Sequence, residues 1–84
     1  MSYALEFTLD GRTSWRSLDV VMQEVALDEL ERLAASEALP KRRWVHDVAL
    51  TVGGVRHYLF FELRAWVTTN TLKVYRVGHF SRPA

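Results

Sequence analysis

An 84-residue chain with 49% hydrophobic and 25% charged residues holds one small globular domain, too apolar for disorder and too short for a second core. The lack of cysteine excludes disulfides and thiolate metal centres, and no apolar run approaches the roughly 20 residues of a membrane-spanning helix. A net charge of +1 conceals a division: residues 1–40 carry eight acids against three bases, residues 41–84 eight bases against two acids. Either two oppositely charged layers of one domain attract each other, or the C-terminal half meets a polyanionic or acidic partner. The N-terminus has no basic region followed by an apolar core, so a soluble, cytoplasmic protein is expected.

The chain opens on Tyr3-Ala4-Leu5-Glu6-Phe7, where Tyr3, Leu5 and Phe7 face one way with period two, the mark of a half-buried strand. Asp10-Gly11 reads as a turn, and a short helix is expected around Arg12 to Leu18 with Trp15 and Leu18 on one face. Asp19 is a candidate N-cap for the next helix. From Val20 to about Ala38 the apolar positions Met22, Val25, Ala26, Leu30, Leu33 and Ala34 recur at threes and fours, with acids on the remainder. Pro40 stops that helix.

After Pro40 the period becomes two. Trp44, His46, Val48, Leu50 and Val52 share one side of a strand, and Gly53-Gly54 supplies the φ > 0 freedom of a tight hairpin. The next strand, Val55 to about Trp66, puts Val55, His57, Leu59, Phe61 and Leu63 towards the helices and Arg56, Tyr58, Phe60, Glu62 and Arg64 on a wetter, basic face. Thr68-Thr69-Asn70 turns the chain into a fourth strand, Thr71 to Val77; Gly78 breaks it, and His79 to Ala84 is read as a tail. The order β-α-α-β-β-β predicts an α+β fold with a four-stranded, antiparallel-type sheet and two helices packed on one face. No pair of His and acid residues has metal-ligand spacing, and no metal or cofactor is expected.

Several of these features together resemble the RelE/ParE toxin superfamily. At the start these are Tyr3-x-Leu5-x-Phe7, Trp15-x-x-Leu18 and the long amphipathic helix. Towards the end come Val52-Gly53-Gly54, Tyr58-Leu59-Phe60-Phe61-Glu62-Leu63, and the run from Thr71 through Gly78-His79 to Arg82. The resemblance implies the toxin of a type II toxin–antitoxin pair, held by an antitoxin that wraps it with a helix and often an added strand. In the RelE branch such a protein enters the ribosome and cuts mRNA without metal, the RNA's own 2′-OH attacking the adjacent phosphate. In the ParE branch the same fold poisons DNA gyrase by binding. A plain interaction module of the same shape is the third reading.

The resemblance also suggests site residues. Counting from the glycine turn, Arg56 takes the place of the RelE branch's strand arginine; counting from Phe60-Phe61-Glu62-Leu63, Tyr58 takes it instead. His79 stands where several members carry a histidine, and Arg82 matches an arginine just beyond it. Arg56, His79 and Arg82 are therefore the expected catalytic set. Lys41, Arg42 and Arg43, a cluster able to bind RNA backbone through counterion release, form the expected RNA platform with Tyr58, Arg64 and Arg76. His46 and His57 fall on the apolar parity of their strands and read as core or edge histidines. Two departures stand out. Asp47 and Ala49 occupy a strand where the RelE branch has lysines. Some nuclease members carry a tyrosine in a C-terminal helix, whereas the aromatics near the end here are Tyr75 and Phe80.

Overall fold

The computed structural model describes residues 2–84. Strand β1 (Ala4–Phe7) is followed by helices α1 (Leu9–Arg16) and α2 (Val20–Ala34), then by strands β2 (Trp44–Val52), β3 (Val55–Trp66) and β4 (Thr71–Pro83). The strands form one sheet in the order β1-β4-β3-β2. β2, β3 and β4 make an antiparallel meander, but β1 joins β4 in parallel, with Leu5 opposite Leu72 and Phe7 opposite Val74. The sheet is thus mixed rather than antiparallel throughout. The reason lies in connectivity: two helices crossing one face return the chain so that β1 and β4 run the same way.

Asp19 caps α2 as its residue type suggests, its Oδ1 accepting the Met22 N–H at 2.9 Å. The helix ends at Ala34, earlier than the apolar pattern implies, because Ala35 already caps it in αR geometry. The helix α1 departs further from expectation. Asp10-Gly11 is not a turn but lies within the first helical turn, capped by the Thr8 hydroxyl, which accepts the Gly11 N–H at 3.0 Å. Gly11 is needed for packing: a Cβ there would sit 2.2 Å from the Val74 carbonyl oxygen.

The core lies between the helices and one sheet face. Met22, Ala26, Leu30, Leu33 and Ala34 of α2 meet Leu59, Phe61, Leu63 and Ala65 of β3 and Leu72, Val74 and Val77 of β4, all buried. The alternation expected for β3 is therefore observed, its odd-numbered residues from Leu59 to Ala65 sealed and its even-numbered ones facing out. Gly53 and Gly54 both take positive φ, +57° and +77°, as the two-residue β2–β3 hairpin requires.

Gly78 does not break β4. The strand continues through the supposed tail, pairing His79 with Leu59, Phe80 with Tyr58 and Arg82 with Arg56. Gly78 lies opposite Phe60, whose ring fills the space where a Cβ would stand, 1.9 Å away. One irregularity reshapes the strand: between Glu62 and Leu63 the register shifts, so that Arg76 and Val74 oppose consecutive β3 residues and Tyr75 is the extra one. Val74 and Val77, three apart, both face the core. Beyond the bulge, odd-numbered β4 residues point to the helices and even-numbered ones away from them.

Candidate functional site

Among the described residues no helix covers the sheet's second face. Its side chains follow from parity: Val45, Asp47 and Ala49 from β2; Arg56, Tyr58, Phe60, Glu62 and Arg64 from β3; and, past the bulge, Gly78, Phe80 and Arg82 from β4.

At one end of this face the bases are engaged. The Glu62 carboxylate receives Arg43 at 3.3 Å and lies 3.7 Å from Arg76. Arg43 also lies 4.0 Å over the Tyr75 ring. Lys73 pairs with Glu6 at 3.3 Å, and Arg64 lies 3.9 Å over the Trp66 ring. The Nε of Arg64 and the Nε1 of Trp66 are buried without a hydrogen-bond partner among the described residues.

At the other end, beside the β2–β3 turn, Arg56 and Arg82 are direct cross-strand neighbours. No carboxylate pairs with either among the described residues. Like charges placed opposite each other on a sheet destabilise it. Between them stands Tyr58, whose hydroxyl accepts a hydrogen bond from Arg82 Nη2 at 3.1 Å. Both guanidinium carbons lie near its ring, at 5.4 Å for Arg82 and 5.9 Å for Arg56. The hydrogen bond from Arg82, with the charges of both arginines, holds the phenol below its ordinary value of 10.0 despite some desolvation. Phe80 stacks on Tyr58 with centroids 4.7 Å apart. Two guanidiniums with free donors around a phenol can bind a phosphate oxygen pair and stabilise charge developing on it.

The structure brings together only part of the expected set. Arg56, Arg82 and Tyr58 share one end of the open face. His79 does not join them: it points to the opposite face of the sheet, where its ring stacks on His57 at 5.2 Å and its Nε2 meets His57 Nδ1 at 3.0 Å. Arg43, Arg64 and Arg76 lie along the engaged end. Lys41 and Arg42 precede β2 in an exposed bend. His46, on the helix side, contacts the Glu29 carboxylate at 2.5 Å. Phe60 and Phe80 complete the surface next to the arginines, and neither was singled out from sequence. The signal lies in the alternation Val77-Gly78-His79-Phe80-Ser81-Arg82, which the glycine interrupts in sequence but not in the strand. Among the described residues no group of three or more His, Asp or Glu side chains could hold a metal ion, and no helix is long and apolar enough to cross a membrane.

No protein-family model matches the sequence, and no curated protein is similar to it at the sequence level. Solved structures are similar in shape. The isolated RelE toxin of E. coli superposes with a TM-score of 0.68 over 96% of this chain and 87% of the toxin, at 19% identity. The RelBE2 toxin–antitoxin complex of Mycobacterium tuberculosis gives 0.59 over 95% of this chain and 100% of the matched chain, at 20% identity. The intact RelBE toxin–antitoxin complex of E. coli gives 0.58 over 92% and 95%, at 18% identity.

Proposed function

We propose that this chain, whose fold is RelE-like by these superpositions, is the toxin of a type II toxin–antitoxin pair and acts as a ribosome-dependent mRNA endonuclease through the open face of its sheet. The observation that carries this reading is the juxtaposition of Arg56 and Arg82 beside Tyr58, with no carboxylate among the described residues to neutralise them. An RNA phosphodiester supplies the missing counterion. When the 2′-OH attacks the adjacent phosphorus, the P–O5′ bond breaks to give a 2′,3′-cyclic phosphate and a 5′-hydroxyl; negative charge grows on the non-bridging oxygens on the way, and preorganised guanidiniums stabilise that charge more than the ground state. Tyr58, whose hydroxyl accepts from Arg82 at 3.1 Å, stands beside the phosphate site and as its phenolate takes the 2′-OH proton, which then passes to the departing 5′ oxygen. His79, behind the sheet, takes no part in this arrangement. Lys41 and Arg42, in the exposed bend before β2, form a separate basic patch at the far end of the sheet that a longer RNA would meet, beside an Arg43 already held by Glu62.

The partner in this reading is a cognate antitoxin. An acidic segment laid over Arg56 and Arg82 would neutralise the same charges that meet RNA, so inhibition and substrate binding compete for one surface. The ribosome and mRNA are the targets, and the site of action is the cytoplasm.

A second reading, gyrase inhibition by binding in the manner of ParE, is favoured by β2, whose open face offers Val45, Asp47 and Ala49 and no base. Radiolabelled methionine incorporation after induction of this chain in bacteria separates the two. The nuclease reading expects incorporation to fall within minutes, and Arg56→Ala to abolish the fall while thermal unfolding stays within about 1 kcal/mol of the parent. Steady incorporation with induced DNA-damage signalling would instead place the target at gyrase.

A further inference from the structure

Phosphate chemistry leaves part of the open face unused. Next to the arginine pair, Phe80 is 52% exposed, stacked on Tyr58 with 16° between the ring planes and 6.3 Å from Phe60. With Val45, Asp47 and Ala49 of β2 these rings line a concavity of about 330 Å³. The charged group in its lining is the Asp47 carboxylate, exposed, directly opposite Phe60 in the sheet, and unpaired among the described residues.

The strand spacing orders these groups. At ~3.3 Å per residue, the Tyr58–Phe80 row lies about 6.6 Å from the Arg56–Arg82 row, and the Asp47–Phe60 row about 13 Å from it. Cationic donors, aromatic faces and an anionic acceptor thus follow one another diagonally across the sheet, from β4 and β3 to Asp47 on β2. A nucleotide presents the complementary sequence: an anionic phosphate, a π-face, and a base edge bearing N–H donors. The carboxylate repels phosphate, so only one orientation is favourable. A protein segment has no comparable reason to place an anion, a flat apolar ring and a donor edge at these intervals.

We propose that this concavity reads a base. On the RNA-binding reading above, on which this inference rests, one nucleotide places its phosphate on Arg56 and Arg82 and stacks its base on the Phe80 face that Tyr58 leaves open, with Phe60, tilted 49° to Phe80, at the base's margin and Asp47 at its edge. An ionised carboxylate is an acceptor only. Guanine offers it two adjacent donors, N1–H and the 2-amino group, matching its two oxygens. Adenine and cytosine offer an amino group beside a ring-nitrogen acceptor, and uracil a single N–H between two carbonyls. The slot therefore selects guanine. Stacking supplies sequence-tolerant affinity and the bidentate contact supplies discrimination. The aspartate that departs from the basic strand of the RelE branch thereby gains a role of its own.

The test is a low-salt NMR titration of the ¹⁵N-labelled full chain with the RNA pentamers UUGUU and UUUUU, read as amide shifts and fitted Kd values. UUGUU is expected to bind about tenfold more tightly, with the largest shifts around Asp47, Phe60 and Phe80. In Asp47→Asn the ratio of the two Kd values should fall to about one. Inosine in place of guanine, lacking the 2-amino group, should give an intermediate ratio. Arg56→Ala should weaken both RNAs alike and leave the ratio near ten. Equal binding of the two pentamers by the parent chain, still weakened by Arg56→Ala, would overturn the base slot while leaving RNA binding in place. No shift with either RNA at millimolar concentration would overturn both and give this face to a protein segment. Asp47 is exposed, so loss of the fold in Asp47→Asn is not expected, and the variant's own amide spectrum verifies this.

Discussion

The two faces of β3 are made from alternate residues of one twelve-residue strand, yet they answer to different demands. On the helix side Leu59, Phe61, Leu63 and Ala65 are buried against α2 and β4 with no polar group among them. On the other side Arg56, Tyr58, Phe60, Glu62 and Arg64 meet no layer among the described residues. That open face is itself divided. Around Glu62 each cation has a carboxylate or an aromatic ring, whereas Arg56 and Arg82 have each other and a phenol. The helix side is arranged for stability, and the end holding the two arginines gives some stability up. A bound anion would relieve their repulsion, which is why the division points to a site.

Phe61 and Phe80 give the sharpest test of this difference. Phe61→Ala removes a fully buried ring and should cost about 3–5 kcal/mol, seen in denaturant unfolding; Phe80→Ala, on the open face, should cost less than about 1 kcal/mol. Equal losses would erase the contrast between the faces. Next in size is Arg82→Glu, which turns the Arg56–Arg82 repulsion into a cross-strand ion pair. It should raise stability by about 0.2–1 kcal/mol while abolishing the proposed translation block. A stability loss would mean that the arginines are already satisfied.

Two smaller effects concern titration. The Tyr58 phenol is depressed chiefly by the Arg82 hydrogen bond, so its ultraviolet titration midpoint should rise in Arg82→Gln, and an unmoved midpoint would separate the two residues. Behind the sheet, the Glu29 carboxyl is held below its ordinary 4.5 by the hydrogen bond from Arg32, outweighing desolvation, with His46 adding to it. A depressed carboxyl stabilises the fold above the unfolded value of 4.5, and that contribution is lost as pH falls through the lower folded value. Melting temperature should therefore drop less steeply below pH 4.5 in Glu29→Gln than in the parent.

Much of this architecture is legible in local pattern. The apolar spacing and Asp19 specify α2, Gly53-Gly54 specifies the hairpin, and strict alternation from Leu59 to Ala65 specifies which face of β3 is sealed. These signals are local because each depends on the periodicity of one element. Elsewhere local signals mislead. Asp10-Gly11 has turn chemistry, yet the Thr8 cap and the close approach of Val74 make it helix. Gly78 has the look of a breaker, yet Phe60 fills its place and the strand runs on.

By itself the sequence determined the inventory: the elements in order, a core with one sheet face against two helices, and a basic C-terminal half with Arg56, Tyr58, His79 and Arg82 as its candidate chemistry. Only the tertiary structure decided which of those residues meet. The bulge at Tyr75 inverts the parity of β4 between Val74 and Val77, sending Phe80 and Arg82 to the face of Arg56 and Tyr58 and turning His79 away. A bulge is set by pairing with a neighbouring strand far along the chain, so no local periodicity announces it, and shifting one residue exchanges every side chain after it between core and solvent.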